Sequence, residues 1–228
     1  MLFRSVLSGT TLSSGWIQTA ELNTVDDQVI GIELVDATRL VLVGNRFDVA
    51  VAQKSDGLFP RNPDNTPGTP VLSGYINASA KCIKKDSANK ILVGGNSSNQ
   101  MALMKFDPTN IALPGSPTTF TGNGSVSAIT FDASEKILLA GTSGTGLGIR
   151  RLNTNLTLDT NFGSSGLISD TVATEAKDVV VDSAGQILIV GTASDNMLIK
   201  RYQPGSNGNF TPPTTSEIGR AHVWTPVT

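Results

Sequence analysis

The stretch DSAGQILIVG, residues 182–191, decides the fold of this chain because it recurs three more times. Each copy has an Asp, a short polar turn, a run of mostly apolar residues and a closing Gly. The other copies are DASEKILLAG, DSANKILVGG and DATRLVLVG, at residues 132–141, 86–95 and 36–44. The closing glycines are 51, 46 and 50 residues apart. A period in this range indicates a repeat architecture.

Composition narrows the class of protein. The chain has 228 residues, 39% of them hydrophobic and 16% charged, with a net charge of −2. Nucleic-acid binding is not expected, since no basic surplus exists to neutralise phosphates. No apolar run reaches transmembrane length, so membrane insertion is not expected either. The single cysteine, Cys82, excludes an internal disulfide; it is interpreted as a half-buried strand residue or as a reactive thiol.

The pattern within one repeat predicts β-strands. In the last copy, residues 179–181, 187–190 and 197–202 are predicted to form three short apolar strands. A weaker fourth strand is predicted after the tail glycine of a repeat, as at residues 166–169. Four strands of ordinary length with their turns fill about 45–50 residues. Each repeat is therefore predicted to be one four-stranded blade.

The strands of a blade differ in their pattern. The second strand is apolar at every position, which indicates burial on both faces. The third strand alternates, so its apolar members are predicted to face a neighbouring blade, while a basic residue ends it. These alternating sets are Met101, Leu103 and Lys105; Leu147, Ile149 and Arg151; and Met197, Ile199 and Arg201.

The repeats define the predicted domain organisation. Residues 1–216 form one array, with repeats at about 21–74, 75–124, 125–166 and 167–216, preceded by the end of another repeat at 1–20. Residues 217–228 fit no repeat and resemble a translated sequencing adapter, so they are predicted to be a non-native tail that contains the only histidine, His222, and Trp224. The Pro- and Asn-rich residues 60–70 are interpreted as a surface loop or as a binding loop.

The sequence predicts no catalytic, cofactor-binding or metal-binding residues. With His222 set aside, no histidine remains for a Ser-His-Asp or Cys-His relay. No zinc-ligand pair or EF-hand loop is present. The glycine-rich residues 141–148 lack the Lys-Ser/Thr ending of a phosphate loop and are predicted to be a hairpin.

Charged residues that recur once per repeat have two interpretations. The aspartates are turn residues or a set of carboxylates that bind cations at one rim: Asp36, Asp86, Asp132 and Asp182. The basic residues are solvated strand ends or partners of nearby carboxylates, or else a strip for an anionic ligand: Lys105, Arg151 and Arg201. Recurrence at the structural period favours the structural role in both cases.

The best copy resembles the delta-60 repeat, a family of bacterial β-propeller repeats. The similarity lies in the LDTNFGSSG of residues 158–166, the turn and strand of residues 179–191, and the closing residues 197–202. It covers most of residues 1–210 and weakens towards the start. The resemblance implies a propeller-type fold and a bacterial protein that is secreted or at the cell surface, with no established activity or catalytic residues.

These observations predict an all-β fold, a partial β-propeller of about four four-stranded blades, with a β-solenoid as the second choice. The predicted function is a non-enzymatic scaffold that binds a protein or glycan partner without cofactors. The alternative is part of a propeller enzyme, a glycoside hydrolase or lyase, which needs converging carboxylates. Candidates for that role are Asp159, Glu175 and Asp178.

Overall fold

The computed structural model describes residues 29–35, 39–44, 49–53, 78–108, 117–194, 196–204 and 210–211. Every described element is a β-strand. The chain divides into two compact units: Met1–Ser98 with Leu103–Pro117, and Asn99–Ala102 with Thr118–Thr228. The predicted end of a repeat at 1–20, Asp36, the loop at 60–70 and the tail at 217–228 lie outside the described residues.

The first unit contains the strands of the first two repeats. Blade 1 is β1 (Val29–Leu34), β2 (Arg39–Gly44) and β3 (Val49–Gln53), which form an antiparallel sheet in the order β1-β2-β3. Blade 2 contains β4 (Ala78–Lys85) and β5 (Ile91–Ser97), which pair antiparallel, and β6 (Gln100–Phe106). Of β6, the residues from Leu103 onward belong to this unit.

The second unit contains the last two repeats. Blade 3 is β7 (Thr118–Phe131), β8 (Ile137–Ser143), β9 (Gly146–Leu152) and β10 (Leu167–Asp170). Blade 4 is β11 (Glu175–Val181), β12 (Ile187–Ala193), β13 (Asn196–Pro204) and β14 (Phe210–Thr211), an antiparallel sheet in sequence order. The predicted fourth strand is confirmed in blade 3, where β10 pairs with β9.

Strand β7 is longer than the repeat predicts. It has 14 residues, and only the part from Gly124 onward pairs with β8. The part before Gly124 occupies the place where the repeat predicts the fourth strand of the second copy. One continuous strand therefore ends one repeat and begins the next.

Aspartates close the turns between the first and second strands. Asp132 Oδ1 accepts hydrogen bonds from the backbone N–H groups of Ser134 and Lys136, at 2.9 and 3.0 Å. Asp182 Oδ1 accepts from Ala184 and Gln186, both at 2.9 Å. These bonds fix the tight hairpin that carries the chain into the buried strand.

The closing glycines face a β-bulge in the first strand of their blade. In blade 3 the register shifts between Val126 and Ala128, and Gly141 pairs with Val126. A Cβ on Gly141 would lie 1.9 Å from the carbonyl oxygen of Ser125. Blades 2 and 4 repeat this arrangement at Gly95 and Gly191, with 1.9 and 2.0 Å. The glycine recurs because the bulged backbone leaves no room for a side chain.

The described core of the second unit lies between blades 3 and 4. One face of blade 3 packs there, including Leu138, Ala140, Leu147 and Ile149, as predicted for the third strand. Blade 4 contributes its opposite face to the same cluster. Its residues in the cluster are Ala176, Val179, Ile187, Ile189, Ala193, Leu198 and Tyr202.

Blade 4 departs from the predicted burial pattern. Met197 and Ile199, predicted to face a neighbour, are exposed, and so is Val190 of the second strand. Their counterparts in blade 3, Leu147 and Ile149, are fully buried. The difference arises because blade 4 covers Leu147 and Ile149, whereas no described blade covers the equivalent face of blade 4.

Candidate functional site

An open groove of about 720 Å³ lies where β10 of blade 3 meets β13 of blade 4. One wall is the segment from Leu167 to Val172, and Gly163 and Ser164 extend it. Lys200 and Tyr202 come from β13 and are both buried. Ser164, Ser169 and Thr171 are exposed along the groove and offer hydroxyl groups to solvent.

Asp170 links the two blades in this groove. Its Oδ2 accepts hydrogen bonds from Lys200 Nζ and from the Tyr202 hydroxyl, the latter at 3.0 Å. Its Oδ1 accepts from the backbone N–H groups of Val172 and Ala173, at 3.0 and 3.4 Å. The Asp170 carboxylate therefore stabilises the turn that follows β10 and also holds β13 next to it.

The electrostatics of this cluster follow from its geometry. Burial by itself would raise the pKa of Asp170, but the hydrogen bonds from Lys200, Tyr202 and Val172 outweigh burial and hold the pKa below its usual range. Burial and the neighbouring Asp170 carboxylate raise the pKa of Tyr202 far above its ordinary value. The phenol is therefore neutral at any physiological pH and serves as a fixed hydrogen-bond donor.

Among the described strands, β10 has a neighbouring strand on one side only. It is an end strand of its sheet, bonded to β9 on one side. The backbone N–H of Arg151 donates to the carbonyl oxygen of Gly166, so these two residues form a hydrogen-bonded pair of the antiparallel ladder. Hydrogen-bonded pairs and non-hydrogen-bonded pairs alternate along such a ladder. Leu167 instead exchanges backbone bonds with Ser164, on the side away from β9. By the same alternation, the N–H and C=O of Ser169 point away from β9, towards the groove.

A second buried cluster explains the motif at residues 158–166. Asp159 Oδ2 accepts from Lys136 Nζ at 2.7 Å and from Arg151 Nε at 2.8 Å, and its Oδ1 accepts from the Asn161 N–H. The Arg151 guanidinium lies 4.6 Å from the centre of the buried Phe162 ring. Although burial would raise the pKa of Asp159, its bond to Lys136 and the charge of Arg151 hold that pKa below its usual range.

The recurring ion pairs have structural partners. Lys105 Nζ lies 2.8 Å from Asp86 Oδ2, and Arg151 Nη1 lies 3.7 Å from Asp132 Oδ2. The prediction that the basic residues pair with nearby carboxylates is therefore confirmed for Lys105 and Arg151. In blade 4, Arg201 is exposed.

The three carboxylates considered for an enzyme have different surroundings. Asp159 is held by Lys136 and Arg151, as above. Glu175 accepts from the Ser127 hydroxyl at 3.0 Å and pairs with Lys177 Nζ at 2.6 Å. Asp178 is exposed and accepts from the N–H of Val179. Each carboxylate thus has a local structural partner.

Arg150 is a buried cation on the opposite face of β9 from the blade 4 contact. Its Nη2 donates to the Thr121 carbonyl oxygen at 2.6 Å, and its guanidinium lies 5.7 Å from the centre of the Phe120 ring. Burial lowers the pKa of Arg150. Within the described part of the chain, its Nε and the Ser125 hydroxyl have no hydrogen-bond partner.

Among the described ranges, no group of three or more His, Cys, Asp or Glu is placed to hold a metal ion. Nor does that part of the chain contain a helix long and apolar enough to cross a membrane.

Sequence reasoning missed the Asp170, Lys200 and Tyr202 cluster. A signal for it exists, because Leu198, Lys200 and Tyr202 alternate along β13 and two of the three are apolar or aromatic. A lysine in such a set predicts a buried cation that needs a carboxylate partner. The sequence does not say which aspartate supplies it, since Asp170 is 30 residues away.

The comparisons with known proteins agree with this geometry. A family model described as "Domain of unknown function (DUF5122) beta-propeller" matches residues 135–162. The WD40 β-propeller domain of Doa1 is 16% identical over 82% of this chain, with a TM-score of 0.55. This chain has a partial β-propeller fold. It spans about half, 54%, of the Doa1 chain that it matches.

Two further solved structures are less similar to this partial β-propeller. A "putative gluconolactonase" is 12% identical, over 79% of this chain and 61% of the other, with a TM-score of 0.41. The extracellular domain of BT4673 from B. thetaiotaomicron is 14% identical, over 72% and 31%, with a TM-score of 0.29. No curated protein matches the chain.

Proposed function

We propose that this partial β-propeller is a non-enzymatic scaffold that binds an extended peptide of a protein partner in the groove beside β10. The observation that carries the proposal is the outer edge of β10 at Ser169, which lies in the wall of an open groove and is paired with no other described strand. An extended peptide can add to such an edge through main-chain hydrogen bonds. The segment at residues 158–166 further supports the assignment of these repeats to the delta-60 type.

The groove has the features that such a peptide needs. Ser169 directs its backbone N–H and C=O away from β9, and the exposed Thr171 and Ser164 hydroxyls lie beside it. The Lys200–Asp170–Tyr202 cluster holds the two walls together, so the groove is formed before a partner arrives. A preformed site lowers the entropic cost of binding.

The experiment screens immobilised extended peptides and oligosaccharides against the full chain, and then compares two variants at Ser169. Ser169→Pro removes the backbone N–H, whereas Ser169→Ala removes only the hydroxyl. For a peptide bound through the main chain, Ser169→Pro is expected to weaken binding by about tenfold or more, as one lost hydrogen bond implies. Ser169→Ala is expected to bind nearly as well as the wild type.

Two outcomes contradict the proposal. Glycan binding lost in Ser169→Ala would indicate a hydroxyl-lined sugar site instead of an extended peptide. Hydrolysis of glycosides by the chain, abolished in Asp159→Asn or Glu175→Gln, would indicate an enzyme. Circular dichroism of each variant verifies that the sheet is intact.

A further inference from the structure

Arg150 on β9 and Lys200 on β13 occupy the same position of two successive repeats. Arg150 pairs with Leu139 and Lys200 pairs with Ile189, and each of these partners is the third residue of its strand. Both basic side chains are buried, with 5 and 7% of their surface exposed. Arg150 contacts the part of β7 before Gly124, and Lys200 contacts β10. The two repeats therefore bury a positive charge at the same place.

The two cations differ in what surrounds them. Lys200 has a carboxylate, because Asp170 accepts a hydrogen bond from its Nζ. Arg150 has a carbonyl oxygen and a ring instead. Its Nη2 donates to Thr121 O at 2.6 Å, and its guanidinium lies 5.7 Å from the centre of the Phe120 ring. Within the described ranges, Arg150 Nε has no hydrogen-bond partner.

The segment that Arg150 contacts supplies no carboxylate. Residues 108–131, which include all of β7, contain no Asp or Glu. Asp132 and Asp159 bond Arg151, whose side chain points to the opposite face of β9. Burial lowers the pKa of Arg150, but an arginine stays charged, and a buried charge is costly unless it is paired. Blade 3 thus buries a cation without the counter-ion that its equivalent in blade 4 has.

We propose that Arg150 binds a small carboxylate anion, of the size of formate or acetate, through its Nε–H. A carboxylate already neutralises the equivalent Lys200, and the planar guanidinium matches the geometry of carboxylate oxygens. The burial of Arg150 limits the ligand to a small one. Because the anion binds the folded chain, its concentration raises the stability of the second unit.

The experiment follows the arginine Nε–H groups by NMR in a uniformly nitrogen-labelled full chain. Sodium formate replaces sodium gluconate at constant ionic strength, and gluconate has the same charge but is too large for a buried site. The resonance of Arg150 Nε–H is expected to shift and to saturate as formate increases. Arg151 is the internal control, because its Nε already donates to Asp159 at 2.8 Å. Its resonance should stay in place.

Thermal unfolding of two variants gives a second measurement. Arg150→Met removes the buried cation, and Arg201→Met removes an exposed one from β13. In the wild type, formate at about five times its Kd should raise the unfolding midpoint by about 2–4 °C relative to gluconate. Arg201→Met should keep this rise, and Arg150→Met should lose it.

Four results overturn the proposal. An Arg150 Nε–H resonance that formate does not move would indicate that water alone satisfies this group. Equal shifts in formate and gluconate, or in Arg150 and Arg151, would indicate a general effect of salt. A rise in the unfolding midpoint that persists in Arg150→Met would place the anion elsewhere. If Arg150→Met does not fold, the titration of the wild type decides the question by itself.

Discussion

At the scale of single residues, two aspartates connect distant parts of the second unit. Asp159 joins Lys136 and Arg151, and Asp170 joins Lys200 and Tyr202. Both carboxylates are largely buried, and both have a pKa held below the usual range by the cations and donors around them. Their charged forms therefore stabilise the fold.

We expect Asp159→Asn to lower the free energy of unfolding by about 3 kcal/mol at neutral pH, because it removes the buried carboxylate that Lys136 and Arg151 share and leaves Arg151 only the more distant Asp132. The lowered pKa means that the carboxylate contributes stability above its unfolded pKa of about 4 and loses it as pH falls through the lower folded value. The difference in the free energy of unfolding between wild type and variant should therefore become smaller as the pH falls below about 4. Urea unfolding at several pH values measures it.

The control for this prediction is Asp178→Asn, which changes an exposed carboxylate of the same unit. It should alter stability by less than about 0.5 kcal/mol. Two results would refute the role given to Asp159. One is an equal loss of unfolding free energy in the two variants. The other is a loss in Asp159→Asn that is the same at about pH 3, where Asp is largely protonated, as at about pH 7, where it is ionised.

At the scale of elements, the hairpin with its closing glycine is the recurring unit. The sequence predicts the hairpin and the buried strand from the Asp-led turn and the apolar run. It does not predict the bulge, because nothing in residues 126–128 marks an extra residue. Periodicity alone also does not decide which face of β13 packs on blade 3. One face carries Leu198, Lys200 and Tyr202, and the other carries Met197, Ile199 and Arg201. The packing of blade 4 on blade 3 settles that choice.

Gly141→Ala tests the bulge. Its Cβ would overlap the Ser125 carbonyl oxygen, and backbone atoms cannot move aside without breaking the ladder. We expect a loss of about 2 kcal/mol or more, the cost of overpacking. Gly144→Ala is the comparison, because Gly144 has open space and a φ of 62°, where alanine costs about 1 kcal/mol. Thermal unfolding ranks the two, and a larger loss in Gly144→Ala would show that the bulge is not the constraint.

At the scale of the whole molecule, the chain contains two compact units built from the same repeat. The all-β class and the blade-sized repeat follow from the sequence, because strand length and period are local properties. The groove beside β10 does not, since it forms from residues of two blades that no local pattern links. In a repeat array the contacts are mainly between neighbours, so stability need not be uniform along the chain.

We expect a core truncation to act mainly on its own unit. Ile149→Ala removes a fully buried side chain from the second unit and should cost about 3 kcal/mol there. Hydrogen exchange should quicken in β8, β9, β12 and β13 and change little in β1, β2 and β4. Ile91→Ala, at a fully buried position of the first unit, should produce the reverse pattern. Equal acceleration in both units for both variants would show that the chain unfolds as one body.

The closing glycine also determines how these repeats can diverge. Every replacement of Gly95, Gly141 or Gly191 adds a Cβ where a carbonyl oxygen already lies. Selection must therefore remove nearly all amino-acid changes at these positions while neighbouring ones drift. The turns illustrate that drift, because Asn89 and Glu135 adopt the same positive φ that Gly185 adopts in the last copy. Among the residues that the repeats share, the glycine opposite the bulge should therefore change more slowly than the turn residues and the surface charges.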